Sequence, residues 1–112
     1  MIAGDVITTP LVRLHVEAEV ELWLKLECLQ PIGSFKLRGA ASAIRQSAPE
    51  TWAGGVWTTS AGNMAQGVAW VARDLGVECT VVAPEHAPAA KLEAIERLGG
   101  RSHLVAVTRR AH

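Results

Sequence analysis

Charge of one sign is missing from this 112-residue chain: eleven Lys and Arg balance eleven Asp and Glu. No basic stripe offers itself to nucleic acid, and the terminal Arg109-Arg110 pair is too short to count as one. Cysteine is scarce. With only Cys28 and Cys79 present, buried free thiols are the expected state, ahead of a disulfide or a metal pair. No apolar run approaches the ~20 residues of a helical membrane span. The first ten residues lack a basic segment followed by an apolar one, so no signal peptide is expected there. His15, His86, His103 and His112 are scattered without ligand spacing, which argues against zinc. No G-x-x-x-x-G-K-[ST] pattern occurs, so nucleoside-triphosphate chemistry is not expected. There is no repeat, linker or low-complexity segment. These exclusions leave a one-domain protein, expected in the cytoplasm and expected to bind neither nucleic acid nor membrane.

What is there is apolar and patterned. Hydrophobic residues make up 49% of the chain, enough for a core at this size. Residues 20–27 alternate charged and apolar side chains and read as a strand. Residues 36–46 are Ala-rich and read as a helix that ends before Pro49. A short strand is expected over 56–59. A helix over 63–75 presents Met64, Val68, Val71 and Leu75 on one face and stops at Gly76. Residues 77–83 form a continuous apolar run, the pattern of a strand buried on both faces. Pro88 opens a further helix with Leu92, Ile95 and Leu98 inward and Lys91, Glu93, Glu96 and Arg97 outward. Gly99-Gly100 ends it, and a last strand is expected over 104–107. Strands alternating with helices imply an α/β fold: a three-layer parallel sheet of about four strands with flanking helices. Ile2-Ala3-Gly4 reads as the end of a helix, and no helix follows the last strand, so truncation at both ends is expected.

Two junctions carry the chemistry. In Gly33-Ser34-Phe35-Lys36-Leu37-Arg38-Gly39, Lys36 follows a Pro-Gly loop and opens a helix. The positive end of a helix macrodipole disfavours a protonated amine there, and burial would act in the same direction. A neutral amine is the form that condenses with an aldehyde. A solvated lysine at a helix start is the ordinary alternative. Phe35, the chain's one phenylalanine, equally suits core packing. Ser34 suits a helix cap, and Arg38 suits a salt bridge better than a ligand. The second junction, Thr59-Ser60-Ala61-Gly62-Asn63, is rich in small residues and donors. It reads either as a turn capped by Asn63 or as a carboxylate site at a helix N-terminus. Gly54-Gly55 precedes a strand and does not suit a phosphate cradle.

Together with Thr9-Pro10-Leu11, Lys25-Leu26-Glu27, Gln66-Gly67 and Val82-Ala83-Pro84 followed by Lys91, these junctions come in one order over nearly the whole chain. In that order the sequence resembles the N-terminal part of the fold-type II pyridoxal-phosphate enzymes, specifically the threonine/serine dehydratase group. The resemblance implies pyridoxal 5'-phosphate as cofactor and an amino acid as substrate. It implies Lys36 as the Schiff-base lysine and the base for the substrate α-proton, with Phe35 beside the pyridine ring. It implies Asn63 as donor to the cofactor 3-hydroxyl, and Ser60, Ala61, Gly62 and Asn63 as the substrate-carboxylate loop; Gln66 is left structural. Residues 1–33 would then be the leading segment of a large domain and residues 34–112 a substrate-side small domain. The complete enzyme would be a homo-oligomeric ammonia-lyase that converts threonine or serine to a 2-oxo acid and ammonia. Two positions depart from the pattern. Met64 stands where relatives usually carry His, which leaves it a packing role. Ala61 stands where racemases of the family carry a second Ser, which favours elimination over racemisation. Another β-eliminating or β-replacing enzyme, a serine racemase, or a non-catalytic remnant are the alternatives. The family's phosphate-binding glycine loop and pyridine-nitrogen partner come later than residue 112, so this chain by itself is expected to be inactive and to bind cofactor weakly.

Overall fold

The computed structural model describes residues 4–59 and 62–105. Among these residues the α/β architecture is as the alternating pattern implies, but the first strand goes elsewhere. Strand β1 (Leu11–Leu14) and strand β2 (Leu22–Lys25) form an antiparallel ribbon of their own, with Leu11 opposite Lys25 and Leu14 opposite Leu22. The expected strand over 20–27 is thus real but shorter, and its partner is local. In this register Val12, Leu14, Leu22 and Leu24 share one face of the ribbon, and all four are exposed.

The parallel sheet has three strands, in the order β3 (Val56–Thr58), β4 (Cys79–Pro84) and β5 (Arg101–Val105). The last strand begins earlier than expected, because pairing with β4 starts right after the Gly99-Gly100 turn at Arg101. Ala106 and Val107, the end of the expected strand, lie outside the described residues. Strand β4 also differs from expectation. Cys79, Val81 and Ala83 are buried, whereas Thr80, Val82 and Pro84 are only half-buried. One face is therefore core and the other is partly open. An unbroken apolar run does not separate these cases, because Val82 and Pro84 are apolar on either face.

Helix α1 (Lys36–Gln46) and helix α3 (Asn63–Leu75) span the residues the sequence assigns to them. A four-residue helix α2 (Pro49–Trp52), with Pro at its start, and helix α4 (Ala89–Arg97) complete the set. Helix α3 sits between two clusters. On one side Ala65, Ala69 and Ala72 pack with Cys79, Val81, Ala83 and Ile95 of α4. On the other, Val71 packs with Leu37, Ala41 and Ile44 of α1. The layers therefore run from the sheet, to α3 and α4, to α1. The side of α3 toward the sheet is built of alanines, smaller than the Met64–Leu75 stripe suggests, and this lets the helix approach the strands closely.

The ion pairs at the helix ends orient α1 and α3. Arg45, in the last turn of α1, donates to Asp74, in the last turn of α3, at 2.6 Å. Near the other ends, the second turn of α3 meets the first turn of α1. An ideal Cβ built on Gly67 would lie 3.3 Å from the Lys36 carbonyl oxygen. Start meets start and end meets end, so the two helices run in the same direction and both N-termini emerge at one end of the pair.

Candidate active site

The loop before α1 is built by a left-handed turn. Gly33 has φ +77°, and its N–H donates to the Gln30 carbonyl at 2.7 Å. That φ strains any residue with a Cβ, which explains a glycine there. The chain then enters α1 with Phe35, not the expected Ser34, as N-cap; Ser34 Oγ, one residue earlier, still accepts from the Lys36 N–H at 3.3 Å. Lys36 is half-buried, and its Nζ lies 5.0 Å from the centroid of the Phe35 ring. Phe35 is 59% exposed, which rules out the core role and leaves its ring a free face beside the amine. An amine beside an open aromatic face, on a helix start, fits the aldehyde carbon and the flat ring of a pyridoxal cofactor.

The loop is held from below by a hydrogen-bonded set centred on Glu27. Arg38 donates to Glu27 Oε1 from Nε at 2.8 Å and from Nη2 at 2.7 Å. Thr9 Oγ1 donates to the same oxygen at 3.3 Å, and Gln30 Nε2 donates to Glu27 Oε2 at 2.7 Å. The Lys25 ammonium donates to the Thr9 carbonyl. The Gln30 amide completes a reciprocal pair with Ile7, accepting from its N–H and donating to its carbonyl, each at 2.9 Å. The Thr-Pro-Leu, Lys-Leu-Glu and Ser-Phe-Lys motifs are therefore one hydrogen-bonded unit around Glu27. The hydrogen bond from Arg38, more than any other influence, holds the Glu27 carboxyl below its ordinary value of 4.5, and Gln30 and Thr9 add to it against the opposing effect of burial. Arg38 is thus the salt-bridge residue expected. Gln30 gives no sequence signal of its own. Its role shows only once the 3-10 turn Glu27–Leu29 brings it over Ile7.

At the second junction the N-cap of α3 is Gly62, with φ −108° and no side-chain cap bond, and Asn63 is the first helical residue. Asn63 is therefore not the expected cap, and its side chain is exposed at the first helical position. Ser60 and Ala61 lie outside the described residues. Met64 lines a cleft of about 520 Å³ together with Gly39, Val68, Trp57 and Thr58, and its methyl lies 3.8 Å from an ideal Cβ on Gly39. It is a packing residue at the seam of α1 and α3, and Lys36 is not among the residues lining that cleft. Gln66 borders a smaller cavity with Pro31 and Ile32, away from Lys36, as its structural assignment implies.

The cysteines divide. Cys79 is buried in β4, and burial pushes its thiol up from the ordinary value of 9.0. Cys28 is exposed, contrary to the expected buried thiol, because the short turn Glu27–Leu29 that follows β2 leaves it at the surface. Among the described residues no cluster of His, Cys, Asp or Glu could hold a metal ion, and no helix is long and apolar enough to cross a membrane.

Known proteins share this arrangement. The biosynthetic L-threonine dehydratase IlvA of Haemophilus influenzae is 46% identical over 88 residues, covering 79% of this chain and 16% of that protein. The catabolic L-threonine dehydratase TdcB of Staphylococcus aureus is 42% identical over 97 residues, covering 83% and 28%. The chain therefore spans less than a third of the curated relatives it matches. Among solved structures, maize serine racemase superposes with a TM-score of 0.88 at 35% identity, over 96% of this chain and 33% of that one. The processed threonine deaminase isoform 2 of Solanum lycopersicum superposes with a TM-score of 0.83 at 35% identity, over 96% and 30%. The model of the pyridoxal-phosphate dependent enzyme family matches residues 2–112, and the chain belongs to that family.

Proposed function

We propose that this chain is the cofactor-lysine segment of a threonine/serine ammonia-lyase. The observation that carries the reading is the pairing of α1 and α3. Two parallel helices bring the Lys36 turn and the Asn63 turn to one end, where both positive dipole ends favour an anion. An amino-acid carboxylate is such an anion. In this reading the Gly62 and Asn63 backbone, with Ser60 and Ala61, orients the substrate carboxylate. The Asn63 amide donates to the cofactor 3-hydroxyl oxygen, and the exposed Phe35 ring lies along the pyridine. Lys36 Nζ would hold the cofactor at its aldehyde carbon and would take the proton from the substrate Cα. Pyridoxal phosphate, when bound, would supply the electron sink that lets that proton leave and the β-hydroxyl depart as water. One water is then consumed in hydrolysing the resulting enamine, and the products are ammonia and a 2-oxo acid.

The reading includes a division of the chain into a leading segment, 1–33, and a substrate-side unit, 34–112. It also includes assembly of the complete enzyme as a cytoplasmic homo-oligomer. The likeness to maize serine racemase gives a second reading, in which the same site reprotonates the substrate. Ala61 lacks the hydroxyl that a second proton transfer needs. The test uses the polypeptide in which residues 1–112 are continued by the rest of the fold. L-threonine or L-serine is expected to give 2-oxo acid, and Lys36→Ala to abolish both turnover and the borohydride-trapped adduct. D-serine as the main product, or an adduct that persists on Lys25 or Lys91, refutes the reading.

A further inference from the structure

We infer that Gly67 is a positioning residue for Lys36: its missing side chain sets the spacing between the two helix starts. An ideal Cβ on Gly67 would lie 3.1 Å from Ala40 Cβ, 3.3 Å from the Lys36 carbonyl oxygen and 3.4 Å from Leu37 Cα. All three atoms belong to the first turn and a half of α1. None is the far end of a flexible side chain. A methyl group at position 67 therefore cannot be accommodated by a rotamer change and is relieved only by moving α1 off α3, by a few tenths of an ångström. Gly67 lies one helical turn after Asn63, so it fixes the Lys36 backbone relative to the helix start that carries Asn63.

The alternatives for a glycine here do not account for it. Gly67 is buried inside α3, where alanine is the better helix former by about 1 kcal/mol, so helix propensity argues against glycine. It does not have a positive φ, so backbone freedom is not the reason either. By contrast, Gly39 on the facing helix has room for a Cβ, with only the Met64 methyl at 3.8 Å. Of the two glycines at the α1–α3 seam, only Gly67 is closely approached, and the backbone it approaches is that of the lysine.

The inference rests on the proposed role of Lys36, and the experiment separates the two. The 112-residue chain, isotope-labelled, is compared with Gly67→Ala and with Gly67→Ala combined with Ala40→Gly, which removes the nearest clashing atom. The backbone amide signals of Lys36 and Leu37 are expected to shift in the single variant while those of Val81 and His103 stay, and to return more than halfway in the double variant. In parallel, each protein is treated with pyridoxal phosphate and borohydride, and the pyridoxyl label is mapped over Lys25, Lys36 and Lys91. Labelling of Lys36 relative to Lys91 is expected to fall by about tenfold in Gly67→Ala and to recover with Ala40→Gly, given how steeply positioned groups lose reactivity with sub-ångström misplacement. Unshifted Lys36 and Leu37 amides in Gly67→Ala overturn the inference. So does a double variant as perturbed, or as unfolded, as the single one. Wild-type label on Lys25 or Lys91 instead overturns the role given to Lys36, while the amide shifts still decide the spacing.

Discussion

Removing the Arg45 charge should destabilise the chain mainly through one of its two partners. Arg45 makes a two-pronged contact with Asp5, from Nε at 3.0 Å and from Nη2 at 2.7 Å, and Nη2 also reaches Asp74 at 2.6 Å. The hydrogen bond to Asp5, then that to Asp74, pushes the guanidinium further above its ordinary value. The two arms are unequal because their environments are. The Asp5 side chain is 4% exposed and the Asp74 side chain 64%. Arg45→Met keeps the apolar stem but leaves the Asp5 carboxylate buried without a cation. Breaking a buried pair from one side costs about 3–5 kcal/mol. Arg45 is itself 27% exposed, so some water replaces it and the cost falls below that range, to about 2–3 kcal/mol. Asp74→Asn removes a solvated arm and should cost less than about 1 kcal/mol. In Tm these correspond to falls of about 10 °C and no more than about 4 °C for a domain of this size.

The assay is urea unfolding followed by tryptophan fluorescence, since Trp52 and Trp70 both pack against the α1–α3 cluster. Pairing Asp5→Asn with Arg45→Met supplies the internal control. If the loss comes from a stranded carboxylate, neutralising Asp5 recovers at least half of it, because removing both partners is close to neutral. If it comes from lost packing of the arginine stem, the double variant is no better than the single. Asp74→Asn costing as much as Arg45→Met would refute the reasoning, as it would mean that exposure does not rank the two arms.

Two further outcomes follow from titrating groups. Because the folded-state carboxyl of Glu27 is held below 4.5, its contribution to stability is fully present above that value and is lost as pH falls through the lower folded value. Tm measured against pH should therefore drop less steeply below pH 4.5 in Glu27→Gln than in the wild type, and parallel curves would contradict the Arg38–Glu27 assignment. Thiol titration of the native chain should show one fast-reacting cysteine, Cys28, with Cys79 reacting only on unfolding; two fast thiols would place Cys79 outside the core.

The helices were the most legible part of the fold because their signals are local. Ala-rich α1 halts before Pro49, and α3 stops at Gly76, so composition and stop signals sit in the same few residues. A strand's own residues do not state its partner, which is why the strand over 20–27 reads as part of the parallel sheet although residues 22–25 pair with the nearby Leu11–Leu14. Nothing in an alternating strand states which edge it will meet. The short helix Pro49–Trp52 escaped because four residues carry no periodicity. At the candidate site, the packing role of Met64 was legible from its departure from the family pattern. The Glu27 unit was not, because its members come from positions 7, 9, 27, 30 and 38 and only the fold brings them together.

That unit gives the earlier residues of the chain a physical purpose at the lysine. The Gly33 turn alone leaves the loop tied to a helix at one end only. Glu27 accepts from both nitrogens of Arg38, two residues past Lys36, and from Thr9, next to the ribbon. Gln30 anchors the other side of the loop to the backbone at Ile7. The first turn of α1 is thus fixed from two directions: from the leading segment through Arg38, and from α3 through the close approach at Gly67. These restraints act at different atoms. The first fixes where α1 begins, and the second fixes how far it stands from Asn63. In the proposed reading of Lys36 as the cofactor lysine both matter, since orientation and distance each enter the rate steeply. The Thr-Pro-Leu and Lys-Leu-Glu segments, through Arg38, form one support of that helix start, and Gly67 forms the other.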